Sequence, residues 1–154
     1  MKKIFYLLVF TLISVSSMGK VVDFSGTWNL NKSKSTINDE FSMAPNKLIL
    51  AQDINVLAVE RHENFEDEDI TSNKKFTLDG KECINDGWED SKEKSVAVWS
   101  ADEKTLAITT KILMQDDEMT TIETYQLEGN NLKMVVKTSS SFGDSTETLL
   151  FNKQ

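Results

Sequence analysis

The sequence predicts an all-β domain: a single antiparallel meander of about eight to ten short strands, closed into a β-barrel. Three observations predict it. Strand-forming runs alternate with turn signals along the whole chain after residue 20. Face assignments agree across three consecutive turns. No sustained amphipathic helix pattern follows residue 20, and the nearest candidate, Thr36 to Met43, lacks a repeated apolar face.

The first 19 residues read as a signal peptide. Lys2 and Lys3 form a positive n-region, and Ile4 to Val15 is an apolar run of h-region length. Ser17-Met18-Gly19 then supplies small residues for cleavage near Gly19-Lys20. The run is too short to span a bilayer, which takes roughly 20 apolar residues. No Cys lies near the cleavage site, which argues against a lipoprotein anchor. The expected product is an exported domain of residues 20–154, periplasmic or secreted, with no integral membrane segment. Its 135 residues suffice for one domain. Without Lys2 and Lys3, 15 basic and 25 acidic residues leave a net charge of −10. Such a surface repels nucleic acid and anionic lipid. Cys83 is the only cysteine, so no intrachain disulfide can form.

A turn of known length sets which residues lie opposite each other, and opposite residues share a face. Ser100 and Thr105 flank a four-residue loop, so Trp99 pairs with Leu106. Leu106, Ile108, Thr110, Ile112 and Met114 then share a face. The loop Gln115 to Glu118 sets Met114 against Met119, and that face continues through Thr121, Glu123, Tyr125 and Leu127. The loop Glu128 to Asn131 sets Leu127 against Leu132, followed by Met134 and Val136. The opposite face is mostly polar, as expected of a meander with one wet side.

Upstream, pairing Ala51 with Val56 places Leu48, Leu50, Leu57, Val59 and Arg61 on one face. Asp79-Gly80 is a hairpin signal that pairs Phe76 with Cys83 and turns Cys83 inward. Asp144 to Asn152 makes the last strand, with its register left open by Ser139 to Gly143. A flat meander of this size exposes two long edges, and closure removes them. A two-sheet β-sandwich is the alternative with the same strand signature.

The run Phe24-Ser25-Gly26-Thr27-Trp28 resembles the opening of the lipocalin-like, calycin-type proteins, which begin their first strand with Gly-x-Trp. The wider run Asp23 to Ser33, the turn Asp79-Gly80-Lys81, and Trp99 before Asp102 are similar to a group of small exported bacterial lipocalin-like proteins. The Thr-Asp-Tyr-type second motif of typical lipocalins is missing. The resemblance implies that Trp28 packs across the closed end of the barrel and that Gly26 allows close approach there.

Several residues are candidates for ligand binding. Arg61 is the only Arg beside 16 Lys and lies in phase with Leu57 and Val59. Inside a barrel, its guanidinium can grip the carboxylate of a fatty-acid-like ligand. At the rim, it pairs with a surface acid instead. Glu123 and Tyr125 share the inward face and can orient Arg61 or a ligand hydroxyl. Trp99, Met114, Met119 and Met134 suit either an adaptable apolar pocket or an ordinary core. Phe76 has the same two readings, and Trp88 falls in a loop that can guard the barrel mouth. Residues 31–46 form the longest connection, a lid or a surface loop anchored by Phe41 and Met43.

Little supports catalysis. His62 is the only His and its register points outward, which excludes a multi-His metal centre. Cys83 has no adjacent base, and no phosphate-binding loop occurs. The acid run Glu63, Glu66, Asp67, Glu68 and Asp69 lacks the ordered spacing of a calcium loop. The expected function is non-catalytic binding or carriage of a small hydrophobic or lipid-like ligand, without a cofactor or metal. The alternative is an envelope interaction module with a filled barrel and no ligand.

Overall fold

The computed structural model describes residues 20–38, 42–65, 68–87, 91–114 and 117–154. These contain ten strands: β1 Gly26–Leu30, β2 Lys47–Gln52, β3 Val56–Phe65, β4 Glu68–Thr77, β5 Glu82–Asp86, β6 Lys92–Trp99, β7 Thr105–Met114, β8 Asp117–Glu128, β9 Asn131–Ser140 and β10 Gly143–Lys153. They form one antiparallel sheet in the order β4-β3-β2-β1-β10-β9-β8-β7-β6-β5. The sheet is a meander whose two halves, β2–β4 and β5–β10, are joined by β1, which pairs with both β2 and β10. One continuous sheet of this order is a nearly closed barrel, not a two-sheet sandwich.

The seam lies between β4 and β5, which share no strand ladder. Asn85 takes the ladder's place. Its Nδ2 donates to the Lys75 carbonyl at 3.0 Å, and its Oδ1 accepts from the Lys75 N–H at 2.8 Å. The Cys83 thiol lies 3.7 Å from the same carbonyl. The Asp79-Gly80 turn is therefore present without the hairpin it signals. Gly80 has a positive φ of 75°, but residues 78–81 splay the strands apart instead of pairing Phe76 with Cys83. Cys83 is half-buried and packs against the core, as expected.

Two other registers differ from the sequence reading. Leu50 pairs with Val59 and Gln52 with Leu57, so Ala51 faces Ala58 and not Val56. Asp53 makes the turn tight, with its carboxylate accepting from the N–H groups of Asn55 and Val56. Likewise Ile112 pairs with Met119, and Met114 pairs with Asp117. Both shifts are of two residues, so every side chain keeps its predicted face. The Trp99–Leu106 and Leu127–Leu132 pairings stand as read.

Side chains facing the interior stack in levels. At the end carrying the β2–β3, β6–β7 and β8–β9 turns, Leu106, Tyr125, Met134 and Leu149 form one fully buried level across four paired strands. Leu132 and Phe151 form the level below. Trp28 lies across this floor, 1% exposed, and its indole N–H donates to the Phe24 carbonyl at 2.9 Å. Phe24 is wholly buried and stacks on Trp99 with ring centres 5.8 Å apart. Gln52 ties the entering chain down: its side chain accepts from the Phe24 N–H and donates to the Val22 carbonyl. Gly26 is required because φ is 145° and a Cβ would sit 2.9 Å from the Lys153 side chain, which lies over the Trp28 ring.

The long connection carries only a short 3₁₀ turn, Lys32–Lys34. Thr36 forms a bridge with Thr148, which holds this segment along β10. Ile37 and Ala44 pack against the core, whereas Met43 is 70% exposed and anchors nothing. Phe41 and Trp88 lie outside the described residues. So do residues 1–19 and Glu66 and Asp67 of the acid run.

Trp28→Ala should cost about 3–5 kcal/mol, since it opens a cavity in the floor and frees the Phe24 carbonyl. Urea unfolding monitored by circular dichroism measures the loss. Trp28→Phe, which keeps most of the volume but not the N–H, should cost less than half as much.

Candidate functional site

Above the floor the interior changes character. The next inward level across β6 to β10 is Ala97, Ile108, Glu123, Val136 and Glu147. The level after that carries Ser95, Thr110, Thr121, Thr138 and Ser145. On the opposite wall, Leu48, Arg61 and Ser72 share a level on β2, β3 and β4, beside Leu50, Val59 and Lys74.

Arg61 reaches across the lumen. Strands β3 and β8 lie on opposite walls, yet the Arg61 Nη1 donates to Glu123 Oε1, and its Nε donates to Glu63 Oε1 at 3.2 Å. The Tyr125 hydroxyl donates to the other Glu123 oxygen at 2.9 Å. The Arg61 and Glu123 side chains are only 12% and 11% exposed. Burial works against charge on Arg61, but Glu123, Tyr125 and Glu63 outweigh it and raise the pKa further above its ordinary value. Burial alone would raise the Glu123 carboxyl. The Arg61 charge and hydrogen bond, that of Tyr125 and the nearby Lys74 hold it below its usual range instead. Burial and the Glu123 charge push the Tyr125 hydroxyl well above its usual range.

A second ion pair, Lys74 to Glu93, joins β4 to β6 across the seam. Ser95 and Thr110 share a hydrogen bond of 2.9 Å. Glu147, 8% exposed, accepts from the Asn38 N–H at 2.8 Å.

Of the residues singled out from the sequence, Arg61, Glu123 and Tyr125 form one network. The Arg61 fork is already engaged by Glu123 and Glu63, so it is not a vacant clamp. Met134 belongs to the packed floor, and Trp99 packs against it. Met119 is half-buried two levels above Glu123. The side chain of Met114 lies outside the described residues. His62 points outward, bonded to Glu60 and Thr71. Sequence reasoning missed Lys74, Glu93 and Glu147. Counting by twos from Phe76 and from Trp99 reaches the first two. Glu147 needed the tight Ser141-Phe142 turn that sets it against Val136. Among the described residues, no three His, Cys, Asp or Glu side chains gather to hold a metal ion, and no helix is long and apolar enough to cross a membrane.

Neither a family model nor a curated protein matches the sequence. Solved structures do match the fold. Human cRBP IV superimposes with a TM-score of 0.56 at 17% identity, over 86% of this chain and 99% of that one. The fold is that of the calycin barrels. Two further calycin barrels agree. Fatty-acid-binding protein 1 of Echinococcus granulosus gives a TM-score of 0.56 at 18% identity, over 84% and 96% of the two chains. Zebrafish ileal bile acid-binding protein complexed with cholic acid gives 0.53 at 14%, over 85% and 98%.

Glu123→Gln strips a buried guanidinium of its main partner and should cost about 3–5 kcal/mol. Replacing both partners, as Arg61→Met with Glu123→Leu, should restore most of that loss. Because Glu123 titrates lower in the folded state, its contribution is complete above the ordinary value of 4.5 and fades as pH falls through the folded value. Because Tyr125 titrates higher, its contribution is complete below 10.0 and fades only as pH rises through the folded value. Urea midpoints measured across pH should show a shallower acid limb in Glu123→Gln than in the native chain.

Proposed function

We propose that this chain is a non-catalytic binder or carrier of a small hydrophobic, lipid-like ligand. It would be exported after loss of residues 1–19, like the small bacterial lipocalin-like proteins it resembles. One observation carries the reading. Most inward side chains below the Arg61–Glu123 pair are fully buried, with Trp99 and Leu127 half-buried. Above it Thr121, Thr138, Ser145, Ile112 and Met119 are half-buried, while Glu93 and Ser95 of β6 are buried. That half of the lumen is open to solvent and mixes apolar walls with a few orienting polar groups, which supports a small-molecule site. The matched barrels support it, since one is named for fatty acids and another holds cholic acid. A non-catalytic role agrees with the chemistry: the Tyr125 hydroxyl is held protonated and Glu123 is held ionised against Arg61. Neither is left as a free base at neutral pH.

The packed floor favours one rival, an interaction module with a filled barrel. Native mass spectrometry of protein purified from its natural source separates the two. A carrier retains a co-purifying lipid-sized mass, and its N-terminus begins at Lys20. A bare mass, together with no uptake of added apolar probes, would sink the carrier reading.

A further inference from the structure

The lumen's charges do not balance. Among the described residues, six inward ionisable side chains above the floor are buried or half-buried and ion-paired or hydrogen-bonded within the lumen. They are the cations Arg61 and Lys74 and the carboxylates Glu63, Glu93, Glu123 and Glu147. Glu68 and Asp117 lie in phase at the rim, and Lys153 lies below the floor over Trp28. Arg61 is taken by Glu63 and Glu123, and Lys74 by Glu93. Glu147 has no cation among the described residues. Its Oε1 accepts one backbone N–H, and its second oxygen, reached by solvent, has no donor among the described residues. Two residues along the same face, Ser145 begins the hydroxyl level above it. Ser95 and Thr110 bond each other at one end of that level, while the hydroxyls of Thr121, Thr138 and Ser145 make no hydrogen bond among the described residues.

A fatty carboxylate entering this space meets more carboxylates than cations among the described residues, and both cations are already engaged. Like charges at close range in a half-buried site are screened less than at the open surface and repel. A donor group meets the opposite situation, because an ionised carboxylate only accepts and an ammonium carries three donors.

We propose that the lumen takes amphiphiles whose polar end is a non-anionic hydrogen-bond donor, an ammonium first and a hydroxyl next, with Glu147 as the acceptor. This rests on the ligand-binding reading and sets the headgroup class. It reverses the carboxylate-clamp expectation for Arg61.

The test compares decylamine, decanol and decanoic acid, each below its micellar concentration, as displacers of the neutral probe N-phenyl-1-naphthylamine at pH 7. Salt at about 0.5 M screens the acidic outer surface, leaving the lumen's own selectivity. The amine should displace the probe at a concentration at least about ten-fold lower than the acid, with the alcohol between them. Glu147→Gln, shown to be folded by its circular dichroism and melting, should shrink the amine–acid gap to about three-fold or less. An acid that displaces as well as the amine overturns the inference and leaves the binding reading standing. So does a gap unchanged in Glu147→Gln. If neither the probe nor any of the three chains binds, the binding reading itself falls and takes the inference with it.

Discussion

The contact between Arg61 on β3 and Glu123 on β8 spans the barrel from wall to wall. Five strand-to-strand steps separate these strands around the sheet, so no ladder hydrogen bond sets their distance. The ion pair does, with Glu63 and Tyr125 fixing the remaining bonds at each end. Such a pair is not a strong stabiliser compared with apolar residues of equal size, because both charges lose their water. Its consequence is architectural. It closes the top of a solid apolar floor and starts a polar, half-hydrated upper lumen.

The floor explains how a barrel with one seam and no disulfide holds together. The chain before β1 is drawn under the barrel by Gln52, and Phe24 fills the space between Trp28, Trp99 and Tyr125. The apolar side chains gather at the end where β1 links the two halves of the sheet. The seam between β4 and β5 has no such support. It depends on the Asn85 amide imitating one residue of a strand and on the Lys74–Glu93 pair.

Much of this was legible in the sequence because side-chain period and turn length are local properties. Period two and turn length give the β6–β9 meander its correct faces and put Arg61, Glu123 and Tyr125 on the inner surface. The two register errors left the faces intact because a shift of two residues preserves them. What was not legible depended on long-range geometry. Asp79-Gly80 specifies a turn, but the curvature of the whole sheet decides whether the strands after it can pair. Phe24 precedes its strand and has no periodic neighbours to reveal it. Glu147 waited on a turn of Ser141 and Phe142, and Ser-rich sequence there permits several loops. That Arg61 would find Glu123 already waiting for it follows only once the barrel is closed.

The division of the interior is most directly tested by methyl NMR during titration with a short-chain apolar amphiphile such as decylamine. Ligand room above the ion pair predicts shifts at the methyls of Ile112, Met119, Thr121 and Thr138, with Met134, Leu106 and Leu149 unmoved. Shifts at the floor methyls, reporting chain penetration past Arg61 and Glu123, would contradict it.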